Sequence, residues 1–104
     1  MESDWKKFSA MIPMLRERYL ATVNAKSATL LSDPRRNETE RFWDATELME
    51  KEARVLRRCL DGHSRSKMEI YMIEMAAHGM LKEEDFAGFS EELRGRVSQF
   101  LPRR

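Results

Sequence analysis

The stretch NETERFWDATELMEKEARVLRRCLDG, residues 37–62, decides the fold class. Asn37 followed by Glu40 is a capping box, in which the amide oxygen accepts a free backbone N–H and the glutamate reaches back. Gly62 suits the left-handed conformation that closes a helix. Between them Phe42, Ala45, Met49, Ala53, Leu56 and Leu60 recur at spacings of three and four, widened by Leu48, Val55 and Cys59. This spacing predicts an amphipathic helix over residues 38–60 with that stripe turned inward. Glu47–Lys51 and Glu50–Arg54, each four residues apart, are its expected supporting pairs.

Similar signals extend outward on both sides. Upstream, Trp5, Phe8, Ile12, Leu15, Tyr19 and Val23 mark one face of a helix from about Asp4 to Leu31, capped by Ser3 or Asp4. Pro13 lacks a donor and crowds the preceding turn, so either one helix kinks there or a second helix starts there; the second arrangement is the expectation. Ser32–Arg36 reads as a loop. Downstream, Ser66 and Glu69 form another capping box, with Ser64 as an earlier candidate cap. Met68–Ala77 is apolar on nearly every side, which predicts a buried central helix closed by Gly79. Lys82–Ala87 reads as a helical turn. Ser90 caps a last helix from Glu91 to about Leu101, where Leu93, Val97, Phe100 and Leu101 continue a stripe begun by Phe86 and Phe89, and Pro102 stops it. The expected fold is all-α: one domain over residues 1–104, a compact four- to five-helix bundle around Met68–Ala77.

Composition agrees with a folded, highly charged protein. Charged residues make up 36% of the 104, yet 19 basic and 18 acidic groups leave a net charge of +1. A disordered chain couples low hydrophobicity to a large net charge, and a generic DNA-coating protein needs a global positive field; neither is present. Cys59 is the single cysteine, so no intrachain disulfide forms and a reducing compartment is expected. The start, Met1-Glu2-Ser3-Asp4, has neither the basic nor the apolar region of a signal peptide, and no apolar run reaches membrane-span length. The expected location is the cytoplasm.

No catalytic constellation emerges. His63 and His78 flank the third helix at opposite ends, about 22 Å apart if the whole interval were helical. Cys59 and His63 stand four apart, a spacing compatible with a nucleophile and its base or with two metal ligands. Gly62 breaks the helix between them, and no second ligand pair follows. The plainer reading is a buried cysteine beside a helix-end histidine. Glu83-Glu84-Asp85 is most simply an acidic first turn, without the pattern of a calcium loop. No phosphate-binding glycine loop and no nucleophile elbow occurs. No metal, cofactor or enzymatic activity is expected.

Two surfaces carry more than a solvated helix face requires. Trp43 lies about 100° around the helix from Phe42, among Glu47, Glu50 and Arg54, and a large aromatic on a charged face often anchors a partner. The competing account has Trp43 covered by the first helix. Arg54, Arg57, Arg58, Arg65 and Lys67 accumulate where the second helix hands over to the third, and a helix–glycine–helix element there is reminiscent of a helix-turn-helix. Against it, the would-be recognition helix is apolar on almost every side.

Phe42-Trp43, the Ser64-Arg65-Ser66 segment, and Leu81-Lys82-Glu83-Glu84-Asp85-Phe86-Ala87-Gly88-Phe89-Ser90-Glu91-Glu92-Leu93 together resemble a group of small uncharacterised bacterial and prophage proteins. The resemblance covers roughly residues 41–97. It implies a mobile-element origin and, by analogy with compact phage proteins, a binder that inhibits or redirects host machinery, anti-CRISPR and other anti-defence proteins among them. The resulting expectation is a non-enzymatic protein-binding module that occludes a partner through Trp43, Glu47, Glu50 and Arg54. The alternative is a nucleic-acid-binding regulator that uses Arg54, Arg57, Arg58, Arg65 and Lys67. Self-association as a homodimer through the first or second helix is a further expectation, and no membrane contact is expected.

Overall fold

A long helical hairpin dominates the computed structural model, which describes residues 2–102; Met1 lies outside them. Helix α1 spans Glu2–Leu31 and α2 spans Glu38–Leu60. A 3-10 turn at Arg65–Lys67 leads into α3, Met68–Ala77, and a second at Glu83–Phe86 leads to α4, Glu91–Ser98. Helix α1 packs on α2, α2 on α3, and α3 on α4. The described residues are helical or irregular, without a strand.

Helix α1 runs unbroken through Pro13, where two helices were expected. The lost hydrogen bond and the ring clash cost about 3 kcal/mol. Phe8, Ile12 and Leu15, buried on both sides of the exposed proline, hold the two halves to one core and offset that cost. The helix also begins earlier than Ser3 or Asp4 could cap it. Asp4 sits inside the first turn, buried, and its Oδ1 and Oδ2 accept from the Ser90 amide at 2.9 Å and hydroxyl at 2.7 Å. Burial pushes this carboxyl's pKa up, but the two bonds from Ser90 outweigh it and hold it below the usual value. Ser90 still caps α4 by accepting from the Leu93 amide at 3.4 Å. One residue pair thus ties the start of the chain to the start of its last helix.

The turn between α1 and α2 is built on Asp33. Its Oδ1 accepts from the Arg35 amide at 2.9 Å and the Arg35 Nε at 3.1 Å, while Oδ2 pairs with Arg36. Arg41 reaches back from α2 to the Asp33 carbonyl at 2.9 Å, and the Asn37–Glu40 capping box is fully formed. The box expected at Ser66 is not formed: Ser66 lies inside the 3-10 turn, and Ser64 precedes it without a side-chain cap.

Most of the buried apolar residues gather at one end of the hairpin. Phe8, Ile12 and Leu15 of α1, Cys59 and Leu60 of α2, Met68, Met72, Met75 and Ala76 of α3, and Met80, Leu81, Phe86, Phe89, Leu93 and Val97 beyond it form one cluster. Helix α3 buries only one face in it: Ile70 is 63% exposed and Ala77 faces solvent, so α3 walls the core and is not enclosed by it. Helix α4 ends at Ser98, short of Leu101, and Phe100 is exposed. Farther along the hairpin Val23, Ser27 and Ala45 are buried where α1 and α2 face each other, outside the main cluster. The result is elongated, 52 × 29 × 17 Å, because thirty helical residues at 1.5 Å each extend well past the core.

Candidate functional site

Helix α2 is rotated from its expected setting. Ala45, Glu52 and Cys59 are buried at successive intervals of seven, while Phe42 and Met49 of the expected inward stripe are exposed. Glu52 is the reason a charged residue lies on the inner line. Its Oε1 accepts from the Tyr19 hydroxyl at 2.6 Å, so the carboxylate meets a donor from α1 at the helix interface. Burial and that bond raise the Tyr19 pKa well above the usual phenol value. The Tyr19–Glu52 contact accompanies the rotation that α2 adopts.

This rotation turns Trp43 outward. Residues 43, 50 and 57 stand two positions before 45, 52 and 59, so at 100° per residue they point about 160° away from the buried line. Trp43 is 61% exposed and Phe42 57%, and their rings meet edge to face at 5.0 Å between centroids. Glu47, Glu50 and Arg54 are exposed on the same side. The expected Glu47–Lys51 and Glu50–Arg54 pairs are not closed, which leaves these four groups free of ion pairs among the described residues. Trp43, Glu47, Glu50 and Arg54 therefore share one open face. Phe42, expected inside, is exposed beside them with its ring against that of Trp43.

The basic residues at the α2–α3 junction are all exposed but do not converge as one set. Arg65 pairs with Glu2 at 2.9 Å. Arg54 and Arg58 instead line a cleft of about 200 Å³ with Lys51, Val55 and His78, while Arg57 and Lys67 lie outside it. Lys51, Arg54 and Arg58 follow helical spacing and were legible as one face of α2; His78 arrives from the end of α3, twenty residues on. Its Nδ1 lies 2.9 Å from the Glu74 carbonyl, and its ring also borders a second cleft with Arg18, Lys26 and Lys82.

Cys59 and His63 do not form a thiol–imidazole pair. The His63 Nε2 sits 2.7 Å from the Cys59 carbonyl oxygen, and its ring packs edge to face on Phe8 and Tyr71. The thiol is fully buried, and burial together with the Glu74 charge pushes its pKa up to about 11. Such a thiol is poorly nucleophilic at neutral pH. Among the described residues, no three histidine, cysteine, aspartate or glutamate side chains gather as a metal site, and no helix is long and apolar enough to cross a membrane.

No family model, curated protein or solved structure matches this chain.

Proposed function

We propose that the protein is a non-enzymatic binding module whose contact face is the outer side of α2. The observation that carries this reading is the exposed edge-to-face pair Phe42–Trp43 on a face with unpaired charges. Large aromatics dominate binding energy when a partner desolvates them, and a charged rim adds orientation and encounter rate. Trp43 is the anchor; Glu47, Glu50 and Arg54 form the rim. The module acts by occlusion, covering a surface that its partner needs. The resemblance to prophage proteins favours a mobile-element inhibitor or regulator of host machinery in the cytoplasm, an anti-defence role such as anti-CRISPR included. Affinity capture from a bacterial host extract, with wild type and Trp43→Ala in parallel, tests this. Specific capture should be lost with Trp43→Ala and kept with Ile70→Ala, an exposed apolar residue on another helix; equal capture by all three overturns it.

A second reading is nucleic-acid binding, favoured by Lys51, Arg54 and Arg58, which line one cleft with His78 and make no ion pair among the described residues. Mobility shifts across a salt series test it. A steep salt slope that is reduced by Arg54→Ala and Arg58→Ala supports phosphate contacts, and no shift at low salt overturns them.

A further inference from the structure

The outer face of α2 has a charge order that selects an occupant. Its first half presents Glu47 and Glu50, and its second half presents Arg54 and Arg57, all exposed, while Lys51 and Arg58 lie further round along the His78 cleft. Phe42 and Trp43 sit in the acidic half, and Met49, also exposed, lies near the middle. A surface with this order is complementary to itself when reversed.

We infer that a second copy of this chain covers the face, with the two α2 helices packed antiparallel about a two-fold axis near Met49 and Glu50. The inference rests on the reading of this face as a contact surface; the second copy occupies the same residues as the proposed host partner and competes with it. In that register residue numbers facing each other add to about 100. Trp43 then lies on Arg57 of the second copy, a cation over an indole face. Glu47 lies beside the second copy's Arg54, and symmetry repeats both contacts. Thr46 meets Ala53 of the other copy, two small residues that let the backbones approach. Met49 and Phe42, about 100° round the helix from Glu50 and Trp43, flank the contact on one side. A parallel pairing would instead oppose Glu47 to Glu47 and Arg57 to Arg57, so like charges exclude it.

Glu50 is the one unfavourable element. It approaches its own copy at the axis, relieved by an Arg54 one turn away from each side. Contact along one helix pair, roughly 24 Å from Phe42 to Arg58, is at the small end of specific interfaces. Dissociation in the micromolar range, on the order of 8 kcal/mol of binding free energy at 1 µM, is therefore expected.

Sedimentation velocity of the full chain from low to several hundred micromolar reads this directly. The wild type should pass from monomer to dimer and shift back towards monomer as salt rises. Trp43→Ala should weaken the dimer about ten-fold or more. Glu47→Arg should weaken it similarly, and adding Arg54→Glu should restore it to within about two-fold, a rescue that a folding defect would not give. Glu50→Gln should tighten it. A wild type that stays monomeric throughout overturns self-association. If Trp43→Ala still abolishes capture of a host protein, the contact face survives that outcome. A dimer indifferent to Trp43→Ala and to the charge exchange overturns this arrangement.

Discussion

Arg18 and Asp85 form a two-pronged ion pair that joins the middle of α1 to the second 3-10 turn, sixty-seven residues away. Arg18 donates through Nη1 to Oδ1 at 3.0 Å and through Nη2 to Oδ2 at 2.5 Å, and Nη2 also reaches the Met80 carbonyl at 2.9 Å. Burial pushes the Asp85 carboxyl up, but Arg18 and the Lys82 amide bonded to it outweigh that and hold it below its usual value. Arg18→Ala leaves this buried carboxylate without its fork and should cost about 2 kcal/mol, read as a lower urea midpoint at unchanged slope. Arg18→Lys should recover little of the loss, because an ammonium is a point charge and not a planar fork.

The turn around Asp33 should be the acid-sensitive part of the hairpin. Hydrogen bonds from the Arg35 side chain and amide, with the Arg36 charge beside them, lower this carboxyl to about 2 from an ordinary 3.8. A depressed folded-state value stabilises the folded form fully above the unfolded value, and the contribution is lost as pH falls from about 3.8 through 2. Amide protection at Arg35 and Arg36, measured against the unfolded chain at the same pH, should fall in that window before protection in α3 does. Asp33→Asn should remove this pH step.

Ser27 is buried between the hairpin helices, and its hydroxyl has no hydrogen-bond partner among the described residues. Replacing it with alanine removes an unsatisfied polar group and improves helix propensity. Ser27→Ala should therefore raise stability by about 1 kcal/mol in thermal or urea unfolding. A loss of stability would show that the hydroxyl is bonded in solution.

Cys59 should behave as a conformational reporter. With its thiol fully buried and its pKa at about 11, it should resist thiol reagents at pH 8 in the folded protein. Reaction should become fast only in denaturant, with a midpoint that tracks helix loss. Rapid labelling of the native protein would show that the core end of α2 opens locally.

Trp43 should dominate solvent-exposed fluorescence. Trp5 is half-buried against Phe8, whereas Trp43 is 61% exposed. In dilute monomer, iodide should quench the red-shifted emission, and Trp43→Phe should remove most of that component. Unchanged quenching in the variant would place the exposed indole at Trp5.

The helical class and most of the helix ends were legible from local signals. Capping boxes, glycines of positive φ such as Gly62 and prolines act within a turn of themselves, so Asn37, Glu40 and Ser90 were readable without any tertiary contact. Trp43, Glu47, Glu50 and Arg54 were likewise legible as one helical face, because their spacing is local. The direction in which α2 faces, and what joins it, comes from long-range packing. Phe42 and Met49 lie outside while Glu52 lies inside, in a setting that includes a hydrogen bond from Tyr19, thirty-three residues away. Pro13 stays helical because the core holds α1 on both sides of it. His78 meets Arg54 and Arg58 only because the chain folds α3 back along α2. Local rules set the ends at Asn37, Gly62 and Ser90 but not at Pro13 or Ser66, where packing overrides them; the rotation of a helix depends on long-range partners that no local pattern names.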